Sequence, residues 1–182
     1  PQGVLDSIST ACELRGIVHG WNDYPTGLQF TLIDPTNGIN VFSPVSNFGY
    51  NVQEGDSVRV RGVVDQYLGL AQIRIDTLIF EGSGFPSDTP QLVFEMDEET
   101  ESRIVKLKCT ELVDLSDWTN TTPGFNVRLA FGQQEIIMRI DANTDLFGTP
   151  VPVGVFGVTG IGGQSDPNAP FVDGYTITPR GQ

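Results

Sequence analysis

Apolar residues recur at every second position over short stretches of the chain, and clusters of Pro, Gly, Asn and Asp separate those stretches. In the run from Val58 to Val64, valines alternate with Arg59 and Arg61, so one face is apolar and the other charged. An amphipathic helix would instead need apolar residues three and four apart, and no window of about 11 residues holds such a stripe. The pattern predicts strands over 11–21, 28–34, 38–43, 57–66 and 70–80. Turn signals stand between them at Asp23-Tyr24-Pro25-Thr26-Gly27, at Pro35-Thr36-Asn37 and at Gly55-Asp56. The second half repeats the order, with strands over 103–116, 125–131, 135–141, 154–162 and 172–179. Residues 81–90 are poor in apolar side chains and read as a connector, and Asp97-Glu98-Glu99-Thr100-Glu101 reads as a short exposed helical turn.

The halves also align on each other. A shift of 97 positions lays Cys12 on Cys109, Trp21 on Trp118, Leu32 on Leu129 and Ile39 on Ile136. A shift of 98 then lays Gly62 on Gly160 and Gln66 on Gln164. Five strands with a glycine inside the fourth and a long connection between the third and fourth describe the five-stranded Greek-key barrel called the OB-fold. Gly16 and Gly62 fall where a coiled strand bends to serve both sides of a small barrel. The expectation is an all-β chain of two tandem five-stranded Greek-key OB-fold barrels, one over 1–82 and one over 97–182, with a linker over 83–96.

The segments "LRGIVHG", "GLQFTLIDPTNGINVF" and "EGDSVRVRGVVDQYLGLAQI" resemble the OB-fold domains of large secreted proteins of Bacteroidota, many of them of unknown function. The second half resembles the domain that often follows these, through "RIVKLKCTELVD", "MRIDANTDLFGTPVPVGVFGVTGIGGQ" and "DGYTITPR". The resemblance runs from about Ala11 to Arg180. It implies an accessory, non-enzymatic module beside other domains of a larger parent chain. Labels of nucleic-acid binding on such modules rest on the fold alone.

Charge narrows the partners. Ten Lys plus Arg against 23 Asp plus Glu leave a formal net charge of -13. Nucleic-acid binding draws its non-specific affinity from cations that displace counterions, so this balance disfavours a polyanion, and it equally opposes docking on anionic lipid. Lysine occurs only at Lys106 and Lys108, and Thr, Asn, Gly and Ser are abundant, a surface suited to an extracellular or cell-surface location. No apolar run approaches the roughly 18 residues that cross a bilayer. The chain begins at Pro1 without a methionine, which reads as a removed leader or a piece of a longer protein. The expected partners are other domains of that parent and a protein or polysaccharide surface, with no membrane; the alternatives are a single-stranded nucleic-acid-binding OB-fold protein, which the charge disfavours, and a calcium-dependent adhesion module.

Candidate chemistry is sparse. His19 is the only histidine and reads as a surface residue of the first strand. Cys12 and Cys109 read as two buried, reduced thiols, each in the first strand of its own barrel. Asp141, Asn143 and Asp145 open a D-x-N-x-D calcium pattern, although Leu146 and Pro152 stand where an EF-hand loop carries Gly and Glu. Asp166, Asn168 and Asp173 form a second oxygen-rich loop. Calcium is accordingly the one cofactor entertained, with an Asx turn as the plain alternative.

OB barrels take ligands on the outer face of strands two and three, framed by the one-to-two and four-to-five loops. In the first barrel that face comprises Tyr24, Gln29, Thr31, Asn40 and Tyr67. In the second it comprises Trp118, Asn126, Arg128, Arg139 and Phe171. The second set combines aromatics with cations, so the contact surface is expected there.

Overall fold

The computed structural model describes residues 7–180. Strands hold 49% of the chain and helix 2%, so the expected all-β class stands. Among the described residues no helix is long and apolar enough to cross a membrane. The chain divides into two compact units, the first ending at Asp88 and the second beginning at Thr89. The outer ends of the two expected domains, residues 1–6 and 181–182, lie outside the described residues.

The first unit is a closed barrel of β1 (Ala11–His19), β2 (Leu28–Ile33), β3 (Gly38–Ser43), β4 (Ser57–Tyr67) and β5 (Leu70–Gly82). The strand order around it is β1-β2-β3-β5-β4. Register follows the alternation of the sequence. Leu32 faces Ile39 and Phe30 faces Val41 across the β2–β3 hairpin, and β3 runs parallel to β5 with Val41 opposite Ile73. Phe30, Leu32, Ile39, Val41, Val58, Val60 and Ile73 are all buried in one core. The hairpin turns at Asp34, whose Oδ1 accepts from the amides of Thr36 (2.7 Å) and Asn37 (2.9 Å). At Gly62 the β4–β5 register slips, Arg61 facing Thr77 and Gly62 facing Ile75. A Cβ there would lie 2.2 Å from the Arg74 carbonyl oxygen, so the bend requires glycine.

The second unit is a six-stranded sheet of β6 (Gln91–Leu92), β7 (Ile104–Leu112), β8 (Gly124–Phe131), β9 (Gln134–Asp141), β10 (Phe156–Gln164) and β11 (Tyr175–Pro179). Its order is β10-β11-β9-β8-β7-β6, and β10 pairs in addition with β7. Leu129 faces Ile136 across β8–β9, and β9 runs parallel to β11 with Met138 opposite Ile177. Val105, Leu107, Val127, Leu129, Ile136, Met138, Ile140 and Ile177 form a separate core. Gly160 in β10 meets the Thr178 carbonyl of β11, where a Cβ would stand 2.4 Å away.

Several expectations need correction. The segment 83–96 is more than a connector, because it carries β6 and buries Val93 and Met96 in the second core. The acidic stretch after it forms turns without helix, and within it Thr100 and Glu101 are buried. The strand expected over 103–116 stops at Leu112 and is followed by a single 3-10 turn, Leu115–Asp117, capped by the Asp114 side chain. His19, expected at the surface, is 1% exposed at the end of β1, where it pairs with Thr31 of β2. Both cysteines are free, as expected, yet neither is fully buried, and Cys109 is exposed. Cys109 has φ +60° where β7 slips against β10, and that bulge turns it out of the alternation.

Candidate functional site

Trp118 follows the 3-10 turn of the β7–β8 connection. Asp114 holds that turn by accepting from the Ser116 amide (2.8 Å) and hydroxyl (2.7 Å). The indole Nε1 donates to the Thr149 carbonyl at 2.9 Å, and the ring meets Phe125 edge-on with centroids 5.6 Å apart. Asn120 ties the same two connections together, donating to the Thr149 carbonyl and accepting from the Gly148 amide. These bonds give the indole one orientation, half-buried between the β7–β8 and β9–β10 connections.

Trp118 thereby lines a cleft of about 600 Å³ in the second unit. Met138, Leu146, Pro152, Phe156 and Pro179 form its apolar wall, and Asp145, Thr159 and Arg180 supply polar groups. Burial lowers the pKa of the Arg180 guanidinium. Val153 and Val155, between the lining residues Pro152 and Phe156, are 76% and 61% exposed. The volume and the mixture of an aromatic wall with a few polar groups are those of a small-ligand site.

Asn126, Arg128 and Arg139 lie near one another on β8 and β9. Asn126 faces Arg139 across the hairpin, and Arg139 Nη1 reaches the Asn126 Oδ1 at 3.4 Å. Arg128 is already engaged by Asp117, with its Nε 3.0 Å from Oδ2, and by Asp114, with its Nη2 3.8 Å from Oδ2. The Asp117 bond and charge raise the Arg128 pKa further. Phe171 is not part of this group. Its carbonyl accepts from Gln164, the last residue of β10, whereas the Trp118 cleft takes the opening residues of β10 and the end of β11. The two aromatics expected to frame one groove therefore stand at opposite ends of the β10–β11 pair.

Asp141, Asn143 and Asp145, the expected calcium pattern, lie at the end of β9 and in the turn that follows it. Asp141 Oδ1 accepts from the amide (2.9 Å) and side chain (2.7 Å) of Asn143, and the Asp141 carbonyl accepts from Thr144. Asp145 lines the cleft. Among the described residues no three His, Cys, Asp or Glu side chains group as metal ligands. On the first barrel the expected ligand face is occupied by its own side chains. Gln29 donates to Asn40 (3.5 Å), Asn40 to Gln72 (3.3 Å) and Gln72 to Asp65 (3.3 Å). Asn40 and Gln72 are buried, and Tyr24 packs edge-on against Phe42 at 5.4 Å. Arg59, Arg61 and Arg74 pair with Glu81, Glu13 and Asp65.

Sequence reasoning missed Thr159 and Arg180, which reach the cleft from β10 and from the residue after β11. One usable signal was the run Val151-Pro152-Val153-Gly154-Val155, apolar but broken by a proline and a glycine; the strand expected over 154–162 opens only at Phe156, which leaves Gly154 and Val155 in the connection. No protein-family model matches the chain, and no curated protein matches it.

Proposed function

We propose that the chain is a non-catalytic accessory module of a larger secreted protein, that both units are barrels of the OB-fold kind, and that a polysaccharide is bound on the second. The barrel reading of the second unit draws support from its pairing. Strands β7-β8-β9-β11-β10 repeat the neighbour order of β1-β2-β3-β5-β4, and β10 pairs back on β7. The binding reading rests on one observation, the cleft built around the anchored Trp118 indole. A sugar ring presents an apolar face that packs on an indole and hydroxyls that bond to groups such as Asp145, Thr159 and Arg180. The charge of -13 and the engagement of Arg128 by two carboxylates weigh against a nucleic acid on the neighbouring strands.

Tryptophan emission of the full chain, titrated with a panel of soluble neutral and acidic polysaccharides and with an oligothymidine at low ionic strength, tests the reading. It expects a saturable response to at least one polysaccharide and none to the oligothymidine at high micromolar protein. Oligothymidine binding that weakens steeply with salt, with no polysaccharide response, would overturn it.

A further inference from the structure

β7 carries the only two lysines of the chain, and neither is spent on the protein itself. Lys106 and Lys108 are exposed on either side of the buried Leu107, so both stand on the outer face of the strand. Among the described residues neither lysine forms an ion pair. Arg15, Arg59, Arg61, Arg74 and Arg128, by contrast, each meet a carboxylate. Local composition accounts for the difference. The strands paired with the first half of β7 are β6 and β10, and β11 lies beyond β10. None of the three contains an Asp or Glu, in a chain that has 23.

The lysine pair also adjoins the cleft. Lys106 stands opposite Thr159, and Leu107 opposite Val158. The register then slips, since Phe156 faces Thr110, and Gly157 is left against Lys108 and Cys109. Thr159 and Gly157 both line the Trp118 cleft. Directly opposed residues on one face of a sheet have Cβ atoms about 5 Å apart, so the Lys106 stem neighbours a cleft wall. Gly157 places no side chain between that wall and Lys108. The two ammonium groups spring from positions about 7 Å apart, two residues along one strand.

We propose that the polysaccharide taken by this cleft is sparsely acidic, with neutral sugars alternating with sugars that carry a carboxylate or sulfate, and that Lys106 and Lys108 bind the acidic groups. The proposal rests on the cleft being a polysaccharide site. An isolated anionic group answers to the two cations beside it, because exposed charges beyond about 8 Å are largely screened at physiological ionic strength. A polymer charged on every sugar carries its charge past the lysines and onto a surface of net charge -13, which repels it. A nucleic acid is a dense polyanion of that kind, and neither β6 nor β7 carries an aromatic on which its bases could stack.

Isothermal titration calorimetry of the full chain tests this with four polymers: hyaluronan, in which alternate sugars carry a carboxylate; κ-carrageenan, in which alternate sugars carry a sulfate; polygalacturonate, charged on every sugar; and neutral dextran. The wild type binds hyaluronan or κ-carrageenan more tightly than the other two, and the one it takes identifies the acidic group. Lys106→Gln with Lys108→Gln weakens that binding about three- to tenfold, the combined size of two exposed charge pairs. Arg61→Gln with Arg74→Gln, which changes the net charge equally on the first unit, leaves it unchanged. Equal loss in both double variants overturns the proposal, as does full binding in the lysine variant or a preference for polygalacturonate or dextran. A chain that binds a neutral polysaccharide and neither half-charged polymer overturns it and leaves the cleft as a polysaccharide site, whereas a chain that binds no polysaccharide overturns both.

Discussion

The two units share a scheme of strand pairing and differ in what their surfaces leave open. Leu32 opposite Ile39 in the first recurs as Leu129 opposite Ile136 in the second, 97 positions later, and the parallel β3–β5 contact recurs as β9–β11. In the first unit the outward polar side chains Gln29, Asn40, Gln72 and Asp65 bond to one another, and the arginines pair with Glu13, Glu81 and Asp65. In the second, the connections at one end hold an indole over a cleft. Alternating apolar residues and close-approach glycines determine the pairing, and the connections between strands determine whether an end is filled or open.

The largest test of the shared scheme replaces the matched leucines. Leu32→Ala and Leu129→Ala each remove a buried side chain, 3% and 0% exposed, and each is expected to cost about 2–5 kcal/mol in urea unfolding. A loss confined to Leu32→Ala would break the equivalence of the two cores. Next come the glycines of the fourth strands. Gly62→Ala and Gly160→Ala force a methyl against a carbonyl at 2.2 and 2.4 Å, with an expected cost of about 1–3 kcal/mol each in calorimetry. Tolerance at Gly160 alone would show that β10 bends less than β4.

The smallest expected effect belongs to the ion pairs of the first unit. Burial pushes the Glu81 carboxyl up, but hydrogen bonds from Arg15 and Arg59 outweigh it and hold the pKa below the ordinary 4.5. A depressed folded-state pKa stabilises the fold above pH 4.5 and ceases to do so as the pH falls through the depressed value. Glu81→Gln is therefore slightly less stable than the wild type at pH 7, and the gap closes in acid. A gap that persists at low pH would assign the loss to packing.

The repeat was legible because burial alternates along a strand, so matched leucines and isoleucines can be aligned without knowing the fold. Trp118 was legible as a residue of the connection between the first two expected strands of the second half, since it follows the polar stretch after Leu112 and precedes β8. Other features depend on what covers the outer side of a strand, which alternation does not record. His19 stands at an outward-reading position yet is buried, and the bulge at Cys109 exposes a thiol from an apolar stretch. The segment around β6 escaped notice because two residues carry no period. Phe171 was grouped with Trp118 because both lie in long loops, and only the register of β10 with β11 separates those loops.

The central claim, that the second unit carries the ligand surface, is tested most directly by comparing Trp118→Ala with Tyr67→Ala in full chains shown to be folded. Tyr67 is 66% exposed at the β4–β5 turn of the first unit, and the polysaccharide identified by titration serves as the probe. The account predicts that Trp118→Ala weakens binding by about 2 kcal/mol or more, the cost of truncating an aromatic anchor, and that Tyr67→Ala leaves it unchanged. Binding that survives Trp118→Ala and is lost in Tyr67→Ala would contradict it and place the surface on the first barrel.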